Sequence, residues 1–292
     1  MKRKNIIQHI LRILLYVVSG IFLLILIGIA VSLPLRTTGD TVELDGIQQD
    51  ITIVFLSDLH SGGYGSANSS SSLLKKVRGR NPDLIALVGD MFSRTSTEEK
   101  IADVAALAAA LTEIAPVYYS FGNHEQEYIS VNGDAVLEQF RQSSVTILND
   151  EFVDLEIKGT AIRLGGMDRM AYTGGNGKYD PEARAFLTEY CAAELPKIML
   201  SHRPEFFAFK EACKTWDIDL ILSGHTHGGL VRLPFIGGLY APIQGWLPKT
   251  DYGEYIFFGT RMIVTSGLAG YGRFPRVFNP PEICAVTITK AD

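Results

Sequence analysis

Five of the six histidines in this chain stand just behind short apolar, β-branched runs, and no other feature constrains the fold as strongly. Ile51–Leu56 precedes Asp58-Leu59-His60, Asp83–Val88 precedes Gly89-Asp90, and Val117–Phe121 precedes Gly122-Asn123-His124-Glu125. Lys197–Leu200 leads into Ser201-His202, and Ile218–Leu222 into Gly224-His225-Thr226-His227-Gly228. Such runs read as buried strands. In open α/β folds, ligands bind beyond the carboxyl ends of the strands. Five turns would therefore bring imidazole, carboxylate and amide groups to one edge of the fold.

Each turn alone has an ordinary explanation. A Gly-Asp pair after a strand is usually just a turn, and an isolated Ser-His is usually a hydrogen-bonded structural histidine. Asp-x-His and His-x-His are more specific, because side chains two apart on an extended segment point the same way and can share one ion. The coincidence of all five is what the ordinary explanations fail to cover.

The intervening sequence supports an α/β chain. Helices are expected at Ser69–Arg80, Thr97–Ile114, Asp134–Ser143, Pro181–Tyr190 and Pro204–Thr215. Further strands are expected at Thr146–Leu148, Phe152–Ile157, Ala161–Gly165, Tyr255–Phe258, Met262–Thr265 and Ile283–Thr289, with a flexible loop at Gly174–Gly177. Alternating strands and helices, followed by a strand-rich half, predict two packed sheets with helices outside. At 292 residues and 47% hydrophobic content, the chain can bury one substantial core.

The N-terminus reads differently. Lys2, Arg3, Lys4 and Arg12 precede an uncharged run of 19 residues, Ile13–Val31, near the length of a membrane-crossing helix. Acidic residues Asp40, Glu43, Asp45 and Asp50 follow. This asymmetry predicts a single-pass cell-membrane protein with a cytoplasmic N-terminus and an extracytoplasmic remainder. Ala30-Val31-Ser32 offers a signal-peptide cleavage site, but the apolar run is longer than a signal peptide's, which favours an uncleaved anchor. The expected organisation is 1–12 cytoplasmic, 13–33 transmembrane anchor, 34–46 linker and 47–292 the domain that carries the five motifs.

The net charge of -5 and the lack of a basic, aromatic-interleaved stretch argue against nucleic-acid binding. Cys191, Cys213 and Cys284 form no CxxC pair, which argues against a disulfide framework or a thiolate zinc site. A donor set of imidazole, carboxylate and amide suits Mn, Fe, Zn or Ni. It holds too many histidines for a plain magnesium or calcium site. Besides His124, two Asp, one Asn and four His exceed one tetrahedral site and fit two divalent ions bridged by a shared carboxylate.

The series Asp58-x-His60, Gly89-Asp90, Gly122-Asn123-His124-Glu125, His202, Gly224-His225-Thr226-His227 resembles the calcineurin-like metallophosphoesterase superfamily. The tail from Ser266-Gly267-Leu268 through Arg276–Ile283 resembles its membrane-anchored bacterial branch of phosphodiesterases. The resemblance implies a four-layer α/β/β/α sandwich, here preceded by one transmembrane helix. It implies that Asp58, His60 and His227 hold one metal ion, that Asn123, His202 and His225 hold the other, and that Asp90 bridges them. His124 would bind no metal and would act on the substrate as a proton or hydrogen-bond donor. Glu125 is either a supporting partner or a helix-start carboxylate.

The function implied is a membrane-anchored, metal-dependent phosphodiesterase that hydrolyses a cell-envelope phosphoester, with manganese a candidate metal and a lipid-linked phosphate a candidate substrate. Alternatives are a pyrophosphatase of a nucleotide-linked sugar lipid and a non-catalytic metal-binding scaffold. Arg94, Arg273 and Arg276 read either as phosphate clamps or as ordinary surface arginines. Gly228–Trp246, rich in Gly, Pro and large apolar residues, reads either as a lip for lipid or as loops packed on the core.

Overall fold

A computed structural model describes residues 2–61, 70–171, 180–209, 212–270 and 274–291. The expected loop at Gly174–Gly177, Arg273 and the Ser69 start of the first domain helix lie outside the described residues.

Lys2–Val31 form one 30-residue helix, α1. Its segment Ile6–Val31 is long and apolar enough to cross a membrane, with a mean hydropathy of 2.9. The helical candidate span thus begins earlier than residue 13 and takes in Arg12. Its apolar side chains are exposed almost throughout, unlike those of a core helix.

Twelve strands build two six-stranded sheets. They are β1 (Arg36–Leu44), β2 (Ile51–Leu56), β3 (Leu84–Val88), β4 (Val117–Ser120), β5 (Thr146–Ile147) and β6 (Glu151–Ile157). β7 (Thr160–Gly166), β8 (Lys197–Leu200), β9 (Leu220–Ser223), β10 (Gly253–Phe257), β11 (Thr260–Val264) and β12 (Glu282–Lys290) follow. The first sheet runs β1-β12-β2-β3-β4-β5, antiparallel only between β12 and β2. The second runs β10-β11-β9-β8-β7-β6, antiparallel only at its two outer pairs.

Three apolar layers hold the sheets and helices together. In β2, Ile51, Ile53 and Phe55 pack between the sheets against Ile162, Ile198 and Leu220. The alternate residues Val54 and Leu56 face a helical layer containing Val77, Ile101 and Leu111. Outside the second sheet, Ile221 and Met199 pack with Phe186 and Leu187 of the helix Pro181–Tyr190. Central strands buried on both faces read as unbroken apolar runs. The result is the expected α/β/β/α sandwich.

Residues 34–46, expected to be a linker, are a correction. β1 pairs with β12 along all nine residues, from Arg36↔Glu282 to Leu44↔Lys290. Val42 and Leu44 enter the inter-sheet core while Thr41 and Glu43 face solvent. An edge strand that is half polar resembles a linker in sequence. Two helical expectations also change, and one helix is new. The 134–143 segment is a 3₁₀ turn, Ala135–Leu137, followed by the short helix Glu138–Gln142. The 204–215 segment is two four-residue helices, Glu205–Ala208 and Ala212–Thr215; the first ends at Phe209, which is extended (φ −94°, ψ 155°). Asn123–Asn132 is an unexpected helix that begins inside the third motif. Within 228–246, two small hairpins pair Arg232–Leu233 with Gly237–Gly238 and Tyr240–Ala241 with Gly245–Trp246.

Candidate metal centre

The turns after β2, β3, β4, β8 and β9 converge at the carboxyl ends of the parallel strands. Asp58, His60, Asp90, His225 and His227 all have left-handed backbones, with φ between 43° and 69°. Non-glycine residues rarely adopt this conformation, and each costs on the order of 1–3 kcal/mol unless its surroundings hold it. Gly89 has φ 73°, and a Cβ there would lie 2.6 Å from the His202 ring, so the Gly-Asp turn needs its glycine.

The polar atoms meet in overlapping clusters. Asp58, His60 and His227 form one group of potential ligands; Asp90, His202 and His225 form a second. His60, Asp90 and His124 form a third, so Asp90 is shared. Asp90 Oδ2 lies 3.1 Å from His202 Nε2, 3.7 Å from His60 Nε2 and 4.0 Å from His124 Nε2. Asp58 Oδ1 lies 3.6 Å from His227 Nε2, 3.8 Å from His202 Nε2 and 3.9 Å from His60 Nε2. Asn123 Oδ1, His202 Nε2 and His225 Nε2 are buried without a well-directed hydrogen bond. Such orphans are rare unless an unseen ion or water satisfies them. The three orphans together with Asp90 are a donor set that a divalent cation fits.

The far ring nitrogens distinguish the histidines. His202 Nδ1 faces Val88 O at 2.8 Å, and His227 Nδ1 faces Ala269 O at 3.2 Å. A carbonyl only accepts, so each Nδ1 carries the proton and leaves Nε2 as a lone-pair donor to metal. His60 Nδ1 lies 3.3 Å from Ser93 Oγ. His124 is the reverse: its Nδ1 accepts from the Arg94 N–H at 3.1 Å. Its neutral ring then bears the proton on Nε2, which makes that atom a hydrogen-bond donor.

Glu125 is fully buried and ties two turns together. Its Oε2 accepts from the N–H groups of Asp90 (2.8 Å) and Gly122 (2.9 Å). Its Oε1 accepts from Met91 N (2.7 Å), Phe92 N (3.3 Å) and the Tyr119 hydroxyl (2.7 Å). Both readings of Glu125 therefore hold: at the helix start it accepts the N–H of the N-cap residue Gly122, and it supports the ends of β3 and β4. Burial and the charge of Asp90 raise its pKa to about 7.

Burial disfavours charge on every group here, but the groups answer differently. His227 and His202 prevail over burial at Asp58 and lower its pKa; His202 and His60 hold Asp90 well below the ordinary carboxylate range. Burial lowers His60 to about 4 and His225 to about 3, leaving neutral imidazoles. At His202 the carboxylates of Asp90, Asp58 and Asp168 overcome burial and raise the pKa to about 10. In the absence of metal, that proton offsets the carboxylate charge.

A cavity of about 420 Å³ opens over these groups, with His60, Asn123, His124, His227, Arg94 and Pro242 in its wall. A larger one, about 630 Å³ beside Gln126 and Arg169, holds no comparable cluster among the described residues. Arg94 lines the site cavity and pairs with Glu127 at 3.0 Å. Arg276 does not face it. Its guanidinium is buried on the carbonyl oxygens of Ser266, Gly267, Ala269 and Asn279, so it anchors the loop rather than clamping phosphate. Sequence reasoning missed Ser57, whose hydroxyl donates to Asp58 Oδ2 at 2.7 Å, and the two carbonyls that fix the histidine rings. Backbone carbonyls leave no signal in residue identity.

A family model described as calcineurin-like phosphoesterase matches residues 51–229. An uncharacterized metallophosphoesterase of Campylobacter jejuni is 31% identical over 304 residues, spanning 98% of this chain and 72% of that protein. The phosphodiesterase YaeI of Escherichia coli is 28% identical over 216 residues, 73% of each. Among solved structures, a 5′-nucleotidase precursor from Thermus thermophilus aligns with TM-score 0.48 and 16% identity, over 82% of this chain and 54% of that one.

Proposed function

The chain belongs to the calcineurin-like phosphoesterase family, and from that premise we propose that it is a membrane-anchored phosphodiesterase acting on a phosphoester of the cell envelope. That it is a metal-dependent phosphoric ester hydrolase follows from the family; the anchor, the envelope substrate and the residue roles are the proposal. The observation that carries it is the shared carboxylate: Asp90 stands in two clusters, 3.1 Å from His202 Nε2 and beside the orphaned Asn123 Oδ1 and His225 Nε2.

In this reading Asp58, His60 and His227 hold one ion, Asn123, His202 and His225 hold the other, and Asp90 belongs to both. When bound, two such cations supply a hydroxide nucleophile near neutral pH and offset the charge that develops on the phosphoryl oxygens. The chain's own groups do the rest. Val88 O, Ala269 O and Ser57 aim the ligands. Glu125 holds the Asp90 and Gly122 backbones in register. His124 Nε2–H, at the cavity wall, donates to the phosphoryl group or to the leaving oxygen. With Arg276 committed to backbone carbonyls, one candidate second-phosphate contact is gone, which favours a monophosphate diester over a diphosphate.

Ile6–Val31 supports the anchor by length and hydropathy. Lys2, Arg3 and Lys4 before it, against Arg36 alone soon after it, support a cytoplasmic N-terminus and an extracytoplasmic catalytic domain. The test is turnover of a chromogenic phosphodiester by the detergent-solubilised full chain. Metal stripping abolishes it, Mn(II) restores it, and a reporter fused after Asp292 reads as extracytoplasmic. Metal binding without turnover of any ester would sink the enzymatic reading in favour of a scaffold.

A further inference from the structure

The two hairpins at 232–247 adjoin the metal cavity on one side and, on the other, the segment that meets the end of α1. On one side, Pro242 forms part of the cavity wall with His225 and His227. On the other, Val231 bridges Val277, and Arg232 N donates to Val277 O at 2.9 Å. The next residue, Phe278, donates its N–H to Gly28 O in the last turn of α1 at 2.9 Å. Ser32 Oγ donates to the same carbonyl at 2.6 Å and accepts from Asn279 N at 2.8 Å. Asn279 Nδ2 then donates to His227 O at 2.6 Å. A side chain at residue 28 would overlap Val277 and Phe278, so helix and loop approach as closely as glycine allows.

The hairpins are apolar where they face outward. No charged residue occurs between Arg232 and Lys249. Phe235, Ile236, Ile243, Trp246 and Leu247 are exposed, Trp246 at 77%. Phe274, near the bridging segment, is 69% exposed, and Leu33, just past α1, is 62% exposed. Leu247 N donates to Leu239 O and Leu239 N to Val231 O, both at 2.9 Å, so the hairpins hold to each other and to their base. Apolar groups concentrated in this way mark an interaction surface. Trp and Tyr favour the membrane–water boundary, and here the Tyr240 and Trp246 rings meet edge to face at 5.7 Å.

We propose that the hairpins at 232–247 rest in the surface of the lipid bilayer that α1 spans, so that the metal cavity opens at the level of the lipid headgroups. The occupant of this surface is a phospholipid bilayer, because the surface is continuous, through Val277–Asn279, with the helix that leaves that bilayer. The proposal rests on α1 being a membrane span. It narrows the substrate class to amphiphiles whose phosphodiester lies at the bilayer surface.

The chain has two tryptophans, Trp216 and Trp246, and α1 contains neither. Trp216 donates its Nε1–H to Ala171 O at 2.6 Å and packs on the outer core of the second sheet, so it serves as the internal reference. The full chain is reconstituted into phosphatidylcholine vesicles with brominated acyl chains, and its fluorescence is compared with that of Trp246→Phe. The expected result is a blue-shifted component in the parent that loses about half its intensity to bromine and is missing in the variant. A Trp246 component unquenched by bromine but quenched by aqueous iodide overturns the proposal. So does one shielded from both in a particle of twice the mass, which assigns the surface to a second copy. If the protein fails to float with the vesicles, or alkaline carbonate strips it off, the reading of α1 itself fails. A Phe235→Ser/Ile236→Ser chain gives a second readout: unchanged turnover of a soluble diester, with about tenfold less turnover of an acyl-tailed diester held in vesicles.

Discussion

The metal cradle and the apolar hairpins use the same backbone device to opposite ends. Beyond β9 the last cradle turn and the hairpins are both glycine-rich, and both hold non-glycine residues in left-handed conformations: His225 and His227 in the cradle, Phe235, Ile243 and Leu247 in the hairpins. In the cradle the strained residues are buried, and Asp58 accepts the His225 N–H at 3.1 Å. In the hairpins they are exposed apolar side chains. Strain alone therefore does not mark chemistry. It does so where buried polar atoms such as His225 Nε2 are left without partners.

The largest break in this contrast is expected from Asp90→Ala. It removes the shared carboxylate, and kcat/KM should fall by at least about 10⁴-fold with metal content below two ions per chain; retention of both ions would remove Asp90 from its bridging place. His124→Ala should lower kcat by about 10²–10⁴-fold, while elemental analysis still finds the parent's metal content. A loss of metal there would make His124 a ligand, against the proton placement set by the Arg94 N–H.

The pH dependence of metal loading comes next. His202, raised to about 10, is protonated near neutral pH without metal and must lose that proton to ligate, whereas His60, at about 4, and His225, at about 3, are already neutral. Affinity should therefore fall as pH falls, by about 100-fold from pH 8 to 6 for one displaced proton. Titration calorimetry in buffers of different ionisation heat should count that proton; a count of zero contradicts the charged His202. Glu125→Gln keeps the volume but weakens the clasp on Asp90 and Gly122. It should cost about 10–100-fold in metal affinity, with kcat largely recovered at saturating metal, as a positioning role requires. The smallest effect is in the hairpins: Ile243→Gly should leave the melting temperature unchanged or raise it, by up to about 1 kcal/mol in stability, because glycine relieves the left-handed strain.

The sequence disclosed the cradle more fully than the scaffold around it. Ile51–Leu56 and Leu84–Val88 were legible because burial on both faces makes them continuously apolar. The turns that converge on the cavity were legible because histidine and aspartate have few reasons to recur behind strands. β1 was not, since only Val42 and Leu44 reach the core from a strand otherwise full of Thr, Gly and charge. The helix from Asn123 was hidden because its buried positions include the carboxylate Glu125. Arg276 is neither a phosphate clamp nor a surface arginine: identity reveals its charge and not the four carbonyls it serves.

The pairing of β1 with β12 has a mechanical consequence. Between Val31, where the helix stops, and Arg36, where the strand starts, only four residues intervene, and Ser32 and Leu35 among them are buried. The chain there is a short, fixed shaft with no slack. A domain on a slack tether would sweep a hemisphere and meet its target by three-dimensional diffusion. With α1 in a bilayer, as proposed, a domain on such a shaft turns only as the helix turns, and its mouth stays at one height. Encounter then becomes a search in two dimensions, governed by lateral mobility, and the distance from shaft to mouth selects how far a scissile bond can project and still be cut.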